Sequence, residues 1–213
     1  MPTRMKPEER KALLLKQARK LIHGHDYEQV RVEDIMKIAE ISKGGFYHHF
    51  KSKDEILSAL VDQEISELVS TIENLTDSDP TLALVSVFTL GSRFLDSPEG
   101  IGTTLNSSAA KALYLDAVET SLDTHLKPAL EAVIVRGSAT GAFSNVDAVN
   151  TAELIMAVSN HANRKSILHN WPDARTISFT KAGIALLGKH LGISEMLASA
   201  LEQLDAKIKK ATS

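Results

Sequence analysis

The chain has 213 residues, of which 43% are hydrophobic, enough to bury a core in one large domain or in a small domain joined to one of ordinary size. It has no cysteine, so we expect neither a disulfide nor a thiolate metal site. No apolar run approaches the roughly 18 residues of a membrane span, and the polar start lacks a signal-peptide core. We therefore expect a cytoplasmic protein without a membrane anchor. The net charge of −3 argues against a nucleic-acid partner. Residues 1–57, however, carry 12 Lys and Arg against 9 Asp and Glu, whereas residues 58–213 carry 12 against 18. Positive charge is therefore concentrated in the first quarter of the chain.

Helical spacing of apolar residues begins near the N-terminus. Pro7 suits a first helical turn, and apolar residues then repeat every three or four positions until Gly24. Two short helical segments follow, at 32–39 and 42–50, and each is too short to be stable alone. They must therefore pack on the first helix.

A longer helix is predicted from Lys53 to about Leu75. Asp79 is the expected cap of the next helix, with Pro80 in its first turn. Further helices are predicted at 81–95, 104–136 with a break near Pro128, 147–169, 173–191 and 194–210. Three glycines are expected at helix ends, namely Gly137, Gly141 and Gly192.

Strand patterns are absent from the sequence, so the predicted fold class is all-α. Residues 1–52 are expected to form a three-helix, homeodomain-like unit with a helix-turn-helix at about 31–50. Residues 53–213 are expected to form a larger all-helical domain. The helix that starts at Lys53 begins at the first domain and runs into the second, so no flexible linker separates them.

The stretch from Val32 to Lys53 carries the strongest functional signal. Two short helices joined by a tight turn allow the second to lie in the DNA major groove while the first braces it across the backbone. Ser42 suits the cap of the second helix, whose exposed side would show Lys43, Tyr47 and His48. The apolar residues expected to set the angle between the helices are Ile35, Ile38, Ala39, Ile41, Phe46 and Phe50.

Two adjacent glycines in this second helix indicate a need for room. Gly44 and Gly45 each cost about 1 kcal/mol in helix propensity, so we expect them to permit close approach to bases or phosphates. Lys43 and Lys53 are suited to pairing with phosphates, and Tyr47 to donating its hydroxyl to one. Lys43 is also a candidate for reading a base.

The segment from Ser42 to Leu57 resembles the signature of the TetR/AcrR family of bacterial transcriptional regulators. The match consists of Ser-Lys-Gly, then Phe-Tyr, a Phe three residues on, then Ser-Lys-Asp and a hydrophobic pair. The close resemblance covers about residues 10–57. The chain departs from the family pattern at Val30, where Thr is common, and at Asp26 and Glu40, where Gly is common. A left-handed Glu40 would cost about 1 kcal/mol or more.

The resemblance implies a DNA-contacting set and a mode of action. Arg31 would replace by its charge the phosphate contact that Thr makes at the neighbouring position in the family. The implied DNA-contacting residues are Arg31, Ser42, Lys43, Gly44, Gly45, Tyr47, His48 and Lys53. Members of the family bind palindromic operators as homodimers, usually repress transcription, and release DNA when a small molecule enters the C-terminal body.

The same resemblance implies that residues 53–213 bind an effector and dimerise. The helices at 147–169 and 173–191 would form a four-helix interface with the partner copy. Residues suited to that interface, and equally to the core of one protomer, are Ala152, Ile155, Ala182, Ile184, Leu186 and Leu187.

Polar or aromatic residues within apolar helices are candidates for an effector site, because such sites combine apolar walls with a few polar groups. The candidates are Arg93, Asn106, Tyr114, Asn160, His161 and Trp171, for which a surface or dimer-rim position is an equally good interpretation. His161 and His169 lie eight residues apart, but no metal site or cofactor is predicted. Since no phosphate loop, nucleophile elbow or paired carboxylates are found, we do not expect an enzyme. The alternative function is an architectural DNA-binding dimer without an effector.

Overall fold

The computed structural model describes residues 6–76, 79–87, 101–199 and 202. These residues form helices and turns, and no strand is found among them, in agreement with the predicted all-α class. The helices are α1 (Pro7–Gly24), α2 (Val32–Ile38), α3 (Lys43–Tyr47), α4 (Lys53–Thr76), α5 (80–87), α6 (Ser108–Ser121), α7 (Lys127–Thr140), α8 (Ala148–His169), α9 (Asp173–Leu191) and α10 (194–199). None of the described helices combines the length and the apolar character that a membrane crossing needs.

The described residues divide into two compact units. The first consists of those within Met1–Glu64 and Asp96–Val118, and the second of those within Ile65–Leu95 and Glu119–Ser213. Because α4 and α6 each cross a boundary, both helices contribute to both units. A functional domain boundary at residue 52 stays a prediction.

The first unit is built on α1, whose apolar stripe is buried. Leu14, Ala18 and Ile22 have at most 1% of their surface exposed. α1 packs against α2 and against a 3₁₀ turn at Ile101–Thr104. The Arg19 guanidinium on α1 forms an ion pair with the largely buried Glu64 carboxylate on α4, which ties these two helices together.

The second unit is built on α7, α8 and α9, each packed against the next along the chain. Gly183 on α9 allows the helices to approach closely, because a Cβ atom there would collide with the Val158 side chain on α8. The buried Thr151 hydroxyl donates to the Asp147 carbonyl oxygen at 2.5 Å, so it accepts from His190 Nε2 at 3.0 Å. That bond joins the start of α8 to the end of α9.

The predicted helix at 104–136 differs from the observed α6 and α7. Residues Ile101–Thr104 form the 3₁₀ turn, and α6 begins only after Ser107, whose Oγ accepts from the Ala110 amide at 3.0 Å. A π-helical turn at Leu122–Leu126 then joins α6 to α7. The break expected near Pro128 takes this form because proline has no N–H to donate to the preceding turn.

One of the three glycines expected at helix ends lies elsewhere. Gly141 and Gly192 follow α7 and α9 with φ values of 75° and 74°, as predicted. The placement of Gly137 at a helix end is wrong, since it lies buried inside α7. A Cβ at Gly137 would enter the Phe143 ring, so close packing rather than chain reversal explains this glycine.

Burial separates the two interpretations of the residues proposed for a dimer interface. Ala152, Ile155, Ile184 and Leu187 are at most 5% exposed, so they belong to the core of one protomer. Ala182 and Leu186 are exposed on α9. Leu186 has 69% of its surface exposed, which is unusual for leucine.

Candidate nucleic-acid interface

The turn between α2 and α3 is stabilised by backbone hydrogen bonds. The Ile41 amide donates to the Met36 carbonyl oxygen at 3.0 Å, and the Glu40 amide to that of Lys37 at 3.3 Å. Glu40 has a φ of 53°, the left-handed conformation that was anticipated from its place in the turn. This conformation costs a non-glycine residue about 1 kcal/mol or more, and the packing of both helices must offset it.

α3 is held in place from one side only. The Ser42 Oγ accepts from the Gly45 amide at 3.2 Å, so the predicted cap is present. Phe46 is fully buried, and its ring lies edge-on to that of Tyr47 at 5.3 Å and tilted to that of Phe50 at 6.3 Å. A single buried aromatic residue therefore anchors this five-residue helix and leaves its other side open.

The open side of α3 carries the residues expected to contact DNA. Lys43, Gly44 and His48 are exposed, and Tyr47 has 47% of its surface exposed. Ser42, the cap of α3, and Arg31, which directly precedes α2, are exposed as well. These side chains can reach a partner without any rearrangement of the core.

The two adjacent glycines of α3 have different surroundings. A Cβ at Gly44 would meet nothing within 4 Å, so this position faces open space. A Cβ at Gly45 would lie 2.9 Å from Ile41 Cγ2 and 3.3 Å from Ser42 Oγ. Gly45 is thus explained by packing within the turn, while only Gly44 fits the expected role of making room for a partner.

Ile38 departs from its expected place in the contact between α2 and α3. It is 48% exposed, so its assignment to the apolar contacts is wrong. Ile35 and Ala39, one helical turn apart, are buried and define the inner face of α2. In a helix of seven residues, periodicity does not distinguish the third position from the fourth.

Lys53, expected at a phosphate, contacts its own protomer. Its Nζ donates to the Tyr27 carbonyl oxygen at 3.0 Å and the Glu28 carbonyl oxygen at 3.4 Å, and lies 4.4 Å from the Tyr27 ring centroid. The Tyr27 hydroxyl donates to Asp54 Oδ1 at 2.5 Å. Burial raises the pKa of Tyr27, as does the Asp54 carboxylate, so Tyr27 stays a hydrogen-bond donor. These contacts fix the start of α4 on the turn that precedes α2.

A cluster of basic groups at the end of α3 was missed by the sequence reasoning. The His48 and His49 ring centroids lie 5.0 Å apart, with His48 exposed and His49 half-buried. Burial lowers the pKa of His49, as do the nearby charges of His48, Arg10 and Lys11, while Glu8 acts in the opposite direction. The first turns of α1 therefore lie beside the end of α3. Contacts between residues so distant in sequence leave no local pattern.

The described candidate effector residues are divided between the two units of the chain. Asn106 is exposed, and Tyr114 is buried in the first unit, where a Cβ at Gly102 would touch its ring. Burial raises the pKa of Tyr114, and the charge of Glu64 adds to the rise. Arg93 lies outside the described residues.

In the second unit, two of the candidate effector residues meet in an aromatic cluster. The ring centroids of His161, Trp171 and Phe179 lie 5.2 to 5.8 Å apart, and the Arg175 guanidinium carbon is 4.2 Å from the Trp171 centroid. Asn160, beside His161, is half-buried. Within the described part of the chain, no group of three or more His, Asp or Glu side chains is arranged to hold a metal ion.

The segment that contains the helix-turn-helix is similar to a known family of proteins. The family model of bacterial regulatory proteins, tetR family, matches residues 14–60, from α1 through the helix-turn-helix into α4. The N-terminal part of the chain is therefore similar to bacterial regulatory proteins of the tetR family. The match covers the observed anchor Phe46, the cap Ser42 and the turn at Glu40, so the family signature and the structural elements coincide.

Curated TetR-family relatives are similar to this chain over part of their length. The HTH-type transcriptional regulator EthR of Mycolicibacterium smegmatis is 33% identical over 73 residues, which cover 34% of each protein. The TetC protein of transposon Tn10 from Escherichia coli is 37% identical over 76 residues, covering 35% of this chain and 39% of TetC. The matched segments thus span less than half of either relative.

Solved structures extend the likeness of fold to most of the chain. A TetR-family transcriptional regulator from Pectobacterium atrosepticum has a TM-score of 0.70 at 24% identity, covering 88% of this chain and 98% of the other. RolR, solved in complex with resorcinol, has a TM-score of 0.64 at 19% identity, covering 91% and 94%. The larger helical part of the chain therefore has the TetR fold although its sequence has diverged.

Proposed function

We propose that this protein is a cytoplasmic DNA-binding transcriptional repressor of the TetR family. Two copies would form a homodimer that inserts one α3 into each half of a palindromic operator, with half-sites about 34 Å apart. A small-molecule effector bound in the C-terminal part would release the DNA. No catalytic role is assigned to any residue.

The observation that carries this proposal is the one-sided anchoring of α3. Phe46 is fully buried, while Lys43, Tyr47 and His48 are exposed on the other side. A helix presented in this way can enter the major groove, with the cation and the hydroxyl at phosphates or base edges. The fixed turn at Glu40 keeps α3 in one position before DNA binds, so binding loses little free energy to ordering of this helix.

An exposed apolar face on α8 and α9 supports the homodimer. Leu154, Ala157 and His161 follow at helical spacing on α8, and Phe179, Ala182 and Leu186 do so on α9. The two stripes join where the His161 and Phe179 rings meet, at 5.2 Å. Burial of such a continuous apolar face against a second copy is favourable, and single exposed side chains would not form one.

The course of α4 supports effector control. Its first residues, Lys53 and Asp54, bind the turn before α2, and the same helix continues to Thr76. An effector that favours one position of α4 would change the separation of the two α3 helices in the dimer. It can shift that equilibrium only by its difference in affinity for the two states.

A footprint of the purified protein on the DNA that flanks its own gene tests the proposal. We expect two protected patches about one helical turn apart at low salt, and their loss with one member of a compound library. Protection that no compound removes would favour the architectural DNA-binding dimer. Absence of protection at low salt, together with no binding to any duplex, would contradict the DNA-binding role.

A further inference from the structure

The first turns of α1 and the end of α3 form one cationic surface, consisting of Arg10, Lys11, His48 and His49. Arg10 and Lys11 lie close enough to His49 to lower its pKa. Lys11 Nζ is 5.9 Å from the centroid of the Phe50 ring, next to His49 in the chain. The exposed His48 continues the surface onto the open side of α3.

The two cations that α1 contributes to this surface have no ion-pair partner in the described part of the chain. Neither Arg10 nor Lys11 forms an ion pair with a described residue. The nearby acidic groups are Glu8, which faces His49, and Glu9, whose carboxylate accepts from the Lys6 amide at 2.8 Å. Positive charge at this surface is therefore only partly compensated.

The internal packing of Lys11 does not explain its position. The Lys11 ammonium lies near the limit of about 6 Å for a cation–π contact, and Lys11 is exposed. Arg10 and Lys11 both oppose a charge on His49, so their grouping is unfavourable in the protein alone. An anion bound across the surface would offset the repulsion between these positive charges.

We propose that this cationic surface binds the phosphate backbone of duplex DNA beside the base pairs that α3 faces. The proposal rests on the proposed function and adds Arg10 and Lys11, two residues outside the helix-turn-helix, to the contacts of each protomer. Phosphate contacts set the register and orientation of a DNA-binding protein and carry no base sequence. Arg10 and Lys11 thus supply affinity, and α3 supplies the choice of sequence.

The test compares two pairs of charge-removing substitutions on the same helix. In the first variant Arg10→Gln is combined with Lys11→Gln, and in the control Lys16→Gln is combined with Lys20→Gln. Both control lysines are exposed, and they lie roughly 140° and 180° around α1 from Lys11. Binding to a fluorescein-labelled 40-base-pair duplex of random sequence is measured by anisotropy over a series of salt concentrations.

We expect the first variant to bind more weakly and to lower the slope of log K against log salt by about 2 for each bound protomer. The control should keep the slope and the affinity of the parent protein. A variant that exchanges the two cations, Arg10→Lys with Lys11→Arg, retains the charge and should bind like the parent. Circular dichroism identifies any variant that fails to fold, in which case Arg10→Gln alone is expected to lower the slope by about 1.

The outcomes separate this proposal from the function on which it rests. If the parent protein binds the duplex and the first variant binds with the same slope, the surface proposal is overturned while DNA binding stands. An equal loss in both pairs would also overturn it, because the effect would then belong to the charge of α1 as a whole. A parent protein that binds no duplex at low salt would overturn DNA binding itself.

Discussion

Gly137 shows how a single side chain can be excluded by its neighbours. It lies in the interior of α7, where glycine is an unfavourable choice for a helix by about 1 kcal/mol relative to alanine. The Phe143 ring occupies the space that a Cβ would need, and Phe143 is 4% exposed. Packing of the aromatic ring therefore outweighs the loss of helix propensity.

We predict that Gly137→Ala destabilises the protein by about 1–3 kcal/mol, because the Phe143 ring has to move within a packed core. Gly24→Ala is the matched control, since a Cβ there meets nothing within 4 Å. The free energy of unfolding in urea is the measurement. Equal stability of Gly137→Ala and the parent protein would show that the ring moves aside at no cost.

Residue-scale features were only partly predictable from the sequence. The caps at Ser42 and Asp79 were predicted correctly because a cap depends on neighbours two or three residues away. The role of Gly137 and the exposure of Ile38 depend on where distant chain segments pack. No local pattern distinguishes a glycine that ends a helix from a glycine inside a helix that leaves space for an aromatic ring.

At the scale of elements, hydrogen bonds to an earlier turn of the chain fix the start of α4. Lys53 binds two carbonyl oxygens of the 3₁₀ turn at Tyr27–Gln29, and Asp54 accepts from the Tyr27 hydroxyl. Glu28 in that turn also accepts from Ser107 Oγ at 2.5 Å. The turn therefore joins α4 and the start of α6 to the helix-turn-helix.

We predict that Lys53→Met lowers the free energy of unfolding by about 1 kcal/mol, since two carbonyl oxygens lose a charged donor. Methionine retains the length of the side chain over the Tyr27 ring. Lys51→Met is the control, because the Lys51 side chain is exposed and, among the described residues, only its backbone amide forms a hydrogen bond, to Glu55. A variant at Lys53 as stable as the control would show that these two hydrogen bonds do not stabilise the fold.

The order and approximate ends of the helices were predictable, and the site was predictable in part. Apolar spacing located α1, α4, α8 and α9 to within a residue or two, because long helices repeat the same signal many times. The exposed side of α3 followed from its cap and its aromatic pattern. Arg10 and Lys11 were missed because they reach α3 only through the folding of the chain.

At the scale of the whole molecule, the proposed function requires a second copy of the chain. In the proposed complex one α3 would read one half-site, because a five-residue helix offers few contacts on its own. The joined apolar stripes on α8 and α9 are the proposed contact surface, and Leu186 is the most exposed of their large apolar side chains at 69%. Dimerisation and DNA affinity should therefore fail together.

We predict that Leu186→Glu weakens the dimer by about 30-fold or more, the effect of losing some 2 kcal/mol at a central apolar contact. Val135→Glu on α7 is the control, because Val135 is 59% exposed and outside the stripes. Sedimentation equilibrium gives the dissociation constant of each. A Leu186→Glu protein that remains dimeric at the parent's concentration would place the interface elsewhere.

The most direct measurement is the affinity of Lys43→Ala combined with Tyr47→Phe for the footprinted duplex at two salt concentrations. Both side chains are exposed, so the free energy of unfolding should stay within about 0.5 kcal/mol of the parent. We predict at least a tenfold loss of affinity and a shallower dependence of the affinity on salt. A double variant that binds as tightly as the parent at both concentrations would contradict the claim that the open side of α3 contacts DNA.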